Sequence, residues 1–232
     1  MTFRRVGHKG ADLIAPGNTF ASFDAALEAG VDMIEFDVLK ERGSDRLLLA
    51  HDYEDAASRR PATFEEGLAY LVEERFDGIG FDVDLKLPGY EQPVVHALRA
   101  FGLIKRALVS TQYGSSLTAI RSLEPSLRLG WTVPRLRRDP FRSRAARPVA
   151  HVAAEFARRA LPPRAAAAIR AGRCDALMAH WRLVSARLVE AVRGAGGELY
   201  VWTVDDLPTL RSLEALGVSG LITNDPRLFA QL

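Results

Sequence analysis

A chain of 232 residues, 48% hydrophobic and 26% charged, has the make-up of an ordinary globular protein, with length for one large domain or two small ones. Its formal charge of +2 is far from the basic excess of a dedicated nucleic-acid binder, so no nucleic-acid partner is expected. The single cysteine, Cys174, excludes an intrachain disulfide and a thiolate metal cluster, and reads as a buried, inert thiol in a reducing compartment. Arg4 and Arg5 are not followed by the apolar core of a signal peptide, and no run approaches about 20 uninterrupted apolar residues. The expectation is a cytoplasmic protein without integral membrane association.

In chain order, a short apolar run near Val6 is the first strand and ends at His8-Lys9-Gly10. Asn18-Thr19 then offers a helix cap, Phe20, Phe23 and Leu27 recur at helical spacing, and Gly30 supplies the left-handed residue that stops the helix. Further strands follow at Met33–Val38, Phe81–Lys86, Ala107–Ser110, Arg128–Thr132, Ala176–Met178, Leu199–Val204 and Leu221–Thr223, each separated from the next by a helical pattern. Near the end, Asp206 and Pro208 start a helix faced by Leu210, Leu213 and Leu216, Gly217 stops it, and Asp225-Pro226 opens a last one. Eight alternating strand–helix units predict an α/β fold, a (β/α)8 TIM barrel, for which a single domain of about this length suffices.

Two stretches depart from that alternation. Leu47–Ala50 follows the second strand after only a few residues, including Gly43-Ser44-Asp45, and a parallel crossover needs a dozen or more. It must therefore return antiparallel, as a hairpin inserted after strand two that brings His51 to the barrel mouth. Pro134–Pro148 is rich in arginine and proline and leads into an alanine- and arginine-rich segment reaching about Arg173. It reads as an irregular, partly helical insertion at about 134–173 after strand five and a candidate lid, within one domain spanning 1–232.

The strongest chemical signal is charge inside strands. Glu35 and Asp37 share one face of their strand while Ile34, Phe36 and Val38 share the other, and Asp82, Asp84 and Lys86 repeat the pattern. In a barrel the polar face looks inward. Four uncompensated buried carboxylates would cost several kcal/mol each, and one lysine cannot neutralise them all, so a divalent cation held by oxygen ligands is expected there. His8 and His51 reach the same mouth and can serve as general acid and base. His96, His151 and His180 read as structural.

These motifs resemble the glycerophosphodiester phosphodiesterase family, whose pattern is met by His8-Lys9-Gly10, Pro16-Gly17-Asn18-Thr19, Glu35-Phe36-Asp37, His51-Asp52 and Asp84-Leu85-Lys86. Val201-Trp202-Thr203-Val204 and the run Gly220-Leu221-Ile222-Thr223-Asn224-Asp225-Pro226 extend the likeness to the C-terminal part. The resemblance implies hydrolysis of a small-molecule glycerophosphodiester to glycerol phosphate and an alcohol, with the glycerol 2-hydroxyl attacking phosphorus and water opening the cyclic phosphate. It implies one divalent cation, Mg or Ca, on Glu35, Asp37 and Asp84. His8 and His51 would be the catalytic pair, and Lys9, Lys86 and Asn18 would contact substrate; Trp202, on the same strand face as Tyr200, reads equally as a contact to the organic part of the substrate or as barrel packing.

Three positions depart from the family pattern. Lys9 stands for arginine, which keeps the charge and loses the bidentate fork. Gly17 stands for glutamate, and Asp84 for a glutamate one methylene longer, as in sphingomyelinase D-like relatives. A lysophospholipase D or sphingomyelinase D-like enzyme acting on lysophospholipids is therefore an alternative, as is a barrel that binds phosphodiesters without cleaving them. Arg135, Arg137, Arg138, Arg142, Arg144 and Arg147 read most simply as a solvated loop; the sharper reading is transient contact with anionic lipid head groups.

Overall fold

The computed structural model describes residues 3–135 and 147–232. Strand β1 (Arg4–Gly7) leads through helix α1 (Phe20–Glu28) to β2 (Met33–Lys40) and β3 (Leu47–Leu49). Helices α2 (Tyr53–Ser58) and α3 (Phe64–Leu71) precede β4 (Gly80–Leu85), followed by α4 (Glu91–Ala100), β5 (Ala107–Thr111), α5 (Gly114–Leu123) and β6 (Arg128–Val133). Helix α6 (Arg147–Arg170), β7 (Ala176–His180), α7 (Ala186–Gly194), β8 (Glu198–Trp202), α8 (Leu207–Ala215) and β9 (Gly220–Thr223) complete the alternation before a closing 3-10 turn, Pro226–Gln231.

Eight of these strands are mutually parallel in the order β1-β9-β8-β7-β6-β5-β4-β2, and the β1–β2 pairing closes the ring into the expected (β/α)8 TIM barrel. The ninth, β3, runs antiparallel to β2, with Val38 opposite Leu49 and Lys40 opposite Leu47. This is the expected hairpin after the second strand. Helix starts follow local chemistry: Thr19 and Thr63 form reciprocal capping boxes with Ser22 and Glu66, and Asp52 and Asp206 cap α2 and α8. Gly30 and Gly217 take φ of +74° and +76° at the ends of α1 and α8, where a side chain would be strained.

Outward-facing strand residues, among them Ile34, Phe36, Val38, Phe81, Val83 and Leu85, are buried under the surrounding helices. Inward-facing Val6, Met33, Leu108, Met178, Tyr200 and Ile222 form a second, smaller core that plugs the barrel below its mouth. Tyr200 is fully buried there, and Gly220 makes room for it: a Cβ at Gly220 would collide with the tyrosine ring. At the opposite end from the mouth, Arg128 pairs with Glu198, which also accepts from the Tyr200 hydroxyl at 3.2 Å.

The stretch after β6 differs from its sequence reading. Residues 136–146, with most of the arginine cluster and the proposed lid, lie outside the described residues. From residue 147, however, α6 is one helix of 24 residues that continues through Pro162-Pro163. Leu161, Ala165, Ala166, Ala168 and Ile169 are buried. This half is therefore the barrel's own crossover helix and not irregular insertion. Its two prolines remove backbone donors and so disguise it in the sequence. Among the described residues, no helix is long and apolar enough to cross a membrane. Cys174 is buried, and burial raises its thiol to about 11.

The ends of β2 and β4 are tied together by Tyr90, whose hydroxyl donates to the Val38 carbonyl at 2.7 Å and accepts from the Leu87 amide at 2.9 Å. Tyr90→Phe leaves the Leu87 amide without this acceptor and takes one donor from the Val38 carbonyl, which keeps the Lys86 amide at 3.2 Å. It should cost about 1–3 kcal/mol of unfolding free energy, read from urea denaturation; an unchanged midpoint and slope would contradict this.

Candidate active site

The register of β2 against β4 builds the acidic cluster. It sets Glu35 beside Asp82 and Asp37 beside Asp84 on the inward face. Like charges directly across a sheet repel, so this arrangement needs something positive. Oxygen atoms of Glu35, Asp37 and Asp84 lie within 4.8 Å of one another, with Glu35 and Asp37 buried and Asp84 partly exposed. Lys86, at the end of β4, makes ion pairs with both Asp37 and Asp84. Burial opposes charge on this lysine, but Asp37, Asp84 and Glu35 outweigh it and hold its pKa well above the usual value.

The carboxylates divide. Burial pushes Glu35 well above the ordinary range, and the neighbouring Asp37 adds to it. Burial also lifts Asp82 to about 8, assisted by Asp84. Burial acts upward on Asp37 too, yet Lys86 and the other nearby cations hold it below the ordinary value. One lysine thus leaves the cluster short of positive charge. Three hard carboxylate oxygens in this compact a group fit Mg²⁺ or Ca²⁺ as ligands.

Backbone and side-chain contacts hold these carboxylates in place. The turn after β1 places Lys9 (φ +50°) and Gly10 (φ +85°) in left-handed conformations, so the Lys9 amide donates to Glu35 Oε2 at 2.8 Å. Asn18, also left-handed (φ +58°) and only 1% exposed, clamps Asp37: its Nδ2 donates to Asp37 Oδ2 at 2.8 Å, and its Oδ1 accepts from the Asp37 amide at 2.9 Å. The Asn18 amide is thus directed at Asp37, whereas the sequence points to substrate contact.

Both histidines reach this end of the barrel. His8 Nε2 lies 3.8 Å from Glu35 Oε2, and its pKa is lowered by burial and by Lys9. His8 Nδ1 lies 2.6 Å from Asn224 Oδ1. Asn224 Nδ2 in turn donates to Asp205 Oδ2 at 2.7 Å, while Asp205 Oδ1 accepts from the Asn224 amide at 2.8 Å and the Thr223 hydroxyl at 3.1 Å. Neither Asn224 nor Asp205 has a role in the sequence reading, where Asn224 is a motif residue of the run 220–226 only. His51, half exposed, pairs through Nδ1 with Asp52 Oδ2 at 2.9 Å, and the same aspartate caps α2. His8 and His51 both bear electrostatically on Asp37.

Lys9, Asn18 and His51 line a cleft of about 420 Å³ together with Asp12, Gly17, Asp52 and Arg59. The Gly17 departure has a steric origin. A Cβ there would lie 2.5 Å from Asp12 Oδ1 and 2.9 Å from the Lys9 Cβ, so Asp12 occupies the space a longer residue would need. Asp12 also accepts from the Gly17 amide at 2.8 Å and pairs with Lys9 Nζ at 3.4 Å. Trp202 uses its indole N–H on the Met178 carbonyl at 2.9 Å and packs edge-on against His180, with ring centroids 5.2 Å apart. His180 accepts from the Arg182 amide at 3.2 Å and stacks beside Trp181, and His96 is exposed. The His151 side chain and all of the arginine cluster except Arg135 lie outside the described residues or side chains. Arg135 stacks over Tyr113 at 4.5 Å.

Comparison with known proteins agrees with this geometry. A family model described as the glycerophosphoryl diester phosphodiesterase family matches residues 8–54 and 95–228, well over half of the chain. Asp84 and Lys86 fall between the two matched segments and are brought to the site by strand register. A glycerophosphodiester phosphodiesterase of Caldanaerobacter subterraneus subsp. tengcongensis is 23% identical, over 98% of this chain and 96% of the relative. Among solved structures, the glycerophosphodiester phosphodiesterase of Agrobacterium tumefaciens strain C58 superposes with a TM-score of 0.70 at 20% identity, covering 100% of both chains. An Oleispira antarctica phosphodiesterase in complex with the product sn-glycerol-3-phosphate superposes with a TM-score of 0.70 at 18% identity, covering 97% of this chain and 94% of that one. Family match, barrel and inward acidic cluster agree: the chain belongs to the glycerophosphoryl diester phosphodiesterase family of hydrolases.

Proposed function

We propose that this chain cleaves a small glycerophosphodiester into a glycerol phosphate and an alcohol, using His8 and His51 for proton transfer and one divalent cation, Mg²⁺ or Ca²⁺, on Glu35, Asp37 and Asp84. The observation that carries the reading is the juxtaposition of a three-carboxylate oxygen cluster with two imidazoles, His8 at 3.8 Å from Glu35 and His51 lining the adjoining cleft. The family match and the product-bound Oleispira relative support the choice of substrate class.

When bound, the cation would screen the charge of the phosphoryl oxygens and acidify a nearby hydroxyl. His8 takes the proton of the attacking glycerol hydroxyl on the side of the phosphorus nearer Glu35. His51, which lines the cleft and pairs with Asp52, gives a proton to the departing alcohol. In the second half the two roles reverse, and water opens the cyclic phosphate. Lys9 and Lys86 supply fixed positive charge at the rim and the floor of the site. Asn18 acts through Asp37, holding that carboxylate rather than the substrate. The ring of Trp202, its polar atom already satisfied, offers an apolar wall for the organic part of the substrate.

Two measurements test this reading. His8→Ala and His51→Ala should each lower kcat on a glycerophosphodiester by about 10²–10⁴-fold with the far-ultraviolet circular dichroism spectrum retained, and EDTA should abolish turnover until Mg²⁺ or Ca²⁺ is returned. Full activity in either variant, or in chelator, would contradict it. Asn18→Ala, which frees Asp37 from its clamp, should weaken divalent-ion affinity by about 10–100-fold in isothermal titration; unchanged affinity would place Asn18 outside the metal site's support.

A further inference from the structure

The hydrogen bonds behind His8 run in one direction only. Asp205 is a carboxylate that accepts from three donors of the following strand end, the Thr223 hydroxyl, the Asn224 amide and Asn224 Nδ2. Because a carboxylate accepts and does not donate, the Asn224 side chain must present its NH₂ to Asp205, at 2.7 Å. Its carbonyl oxygen is thereby turned toward His8, 2.6 Å from Nδ1. An amide oxygen can only accept, so the hydrogen between them belongs to His8 Nδ1. The second ring nitrogen, Nε2, is then left with its lone pair, and it is the nitrogen that faces Glu35 and the acidic cluster.

We infer that Asn224 and Asp205 are a positioning pair that fixes His8 as its Nδ1–H tautomer and so keeps Nε2 open as the proton acceptor. The inference rests on the reading of His8 as a proton-transfer residue and adds which nitrogen does it and what holds it there. The intermediary is a neutral amide, whereas His51 is backed directly by the carboxylate of Asp52. Asn224 therefore supplies orientation without placing a negative charge against the ring, and Asp205 fixes the orientation of Asn224 from behind. A free histidine in water favours a proton on Nε2, which would point a donor at the acidic cluster and leave no base there. The chain between them is short: Asp205 lies just beyond β8 and Asn224 just beyond β9, neighbouring strands of the barrel.

The test uses the intact protein labelled with ¹⁵N-histidine. Long-range proton–nitrogen correlation on the wild type should show a protonated-type nitrogen at His8 Nδ1 and an unprotonated-type nitrogen at Nε2. In Asn224→Leu, which keeps the volume and removes both polar atoms, the Nε2–H form should become dominant. Its kcat should fall by about 10²–10³-fold, with KM within about threefold of wild type. The exchanged double variant Asp205→Asn/Asn224→Asp rebuilds the chain with donor and acceptor reversed. The amide introduced at position 205 can give its NH₂ to the carboxylate introduced at position 224, which still accepts from His8. This variant should recover the Nδ1–H form and at least tenfold of the lost kcat. Asn224→Asp alone sets two carboxylates against each other and should recover less. A wild-type His8 protonated on Nε2, an unchanged tautomer and kcat in Asn224→Leu, or a double variant no better than Asn224→Asp would each overturn the inference. The nitrogen spectra need no substrate, so they separate failure of this assignment from failure of the proposed activity.

Discussion

Everything at the mouth of this barrel answers to one constraint, the burial of carboxylates from two adjacent parallel strands on the same inward face. Register alone puts Glu35 beside Asp82 and Asp37 beside Asp84, where like charges repel and water is scarce. The protein meets that cost in three ways. Lys86 lies against Asp37 and Asp84, burial pushes Asp82 up to about 8, which favours its uncharged form, and backbone or amide donors from the β1–α1 turn grip Glu35 and Asp37. The remaining deficit of positive charge is what the proposed divalent cation would fill.

The rest of the fold serves that cluster. Lys9 is held in a left-handed conformation that costs a lysine energy, Asn18 takes the same conformation that asparagine tolerates, and both are used to orient a carboxylate. Tyr90 ties the end of β2 to the chain beyond β4, so the two acid-bearing strands keep their register. The hairpin made by β3 carries the chain back to the mouth, so that His51 and Asp52 join Lys9 and Asn18 in lining the cleft. Below them, the apolar plug around Tyr200 and Met178 gives the polar layer a rigid floor.

Most of this architecture is legible in the sequence because strand alternation is a strong signal. Eight strands, their inward polar faces and the antiparallel return of Leu47–Leu49 all follow from period and spacing. The segment of α6 reads as only partly helical, because two consecutive prolines and an arginine-rich lead-in hide the continuous helix and the buried alanine face that packs it on the barrel. The pairing of Asn224 with His8 is invisible for another reason. Those residues are 216 positions apart, and only closure of β9 against β1 brings them together. Asn18 can be recognised as a member of a motif, but that its amide is bonded to the Asp37 carboxylate depends on a left-handed backbone that composition does not report.

The central claim is that Glu35, Asp37 and Asp84 form one cation site. The most direct test is a crystal soaked with Mn²⁺ and measured for anomalous scattering. The account predicts a peak within about 2.0–2.6 Å of an oxygen from each of the three carboxylates, with Lys86 displaced toward the phosphate position. A peak bound elsewhere, or no peak while Lys86 keeps its pairs with Asp37 and Asp84, would contradict it.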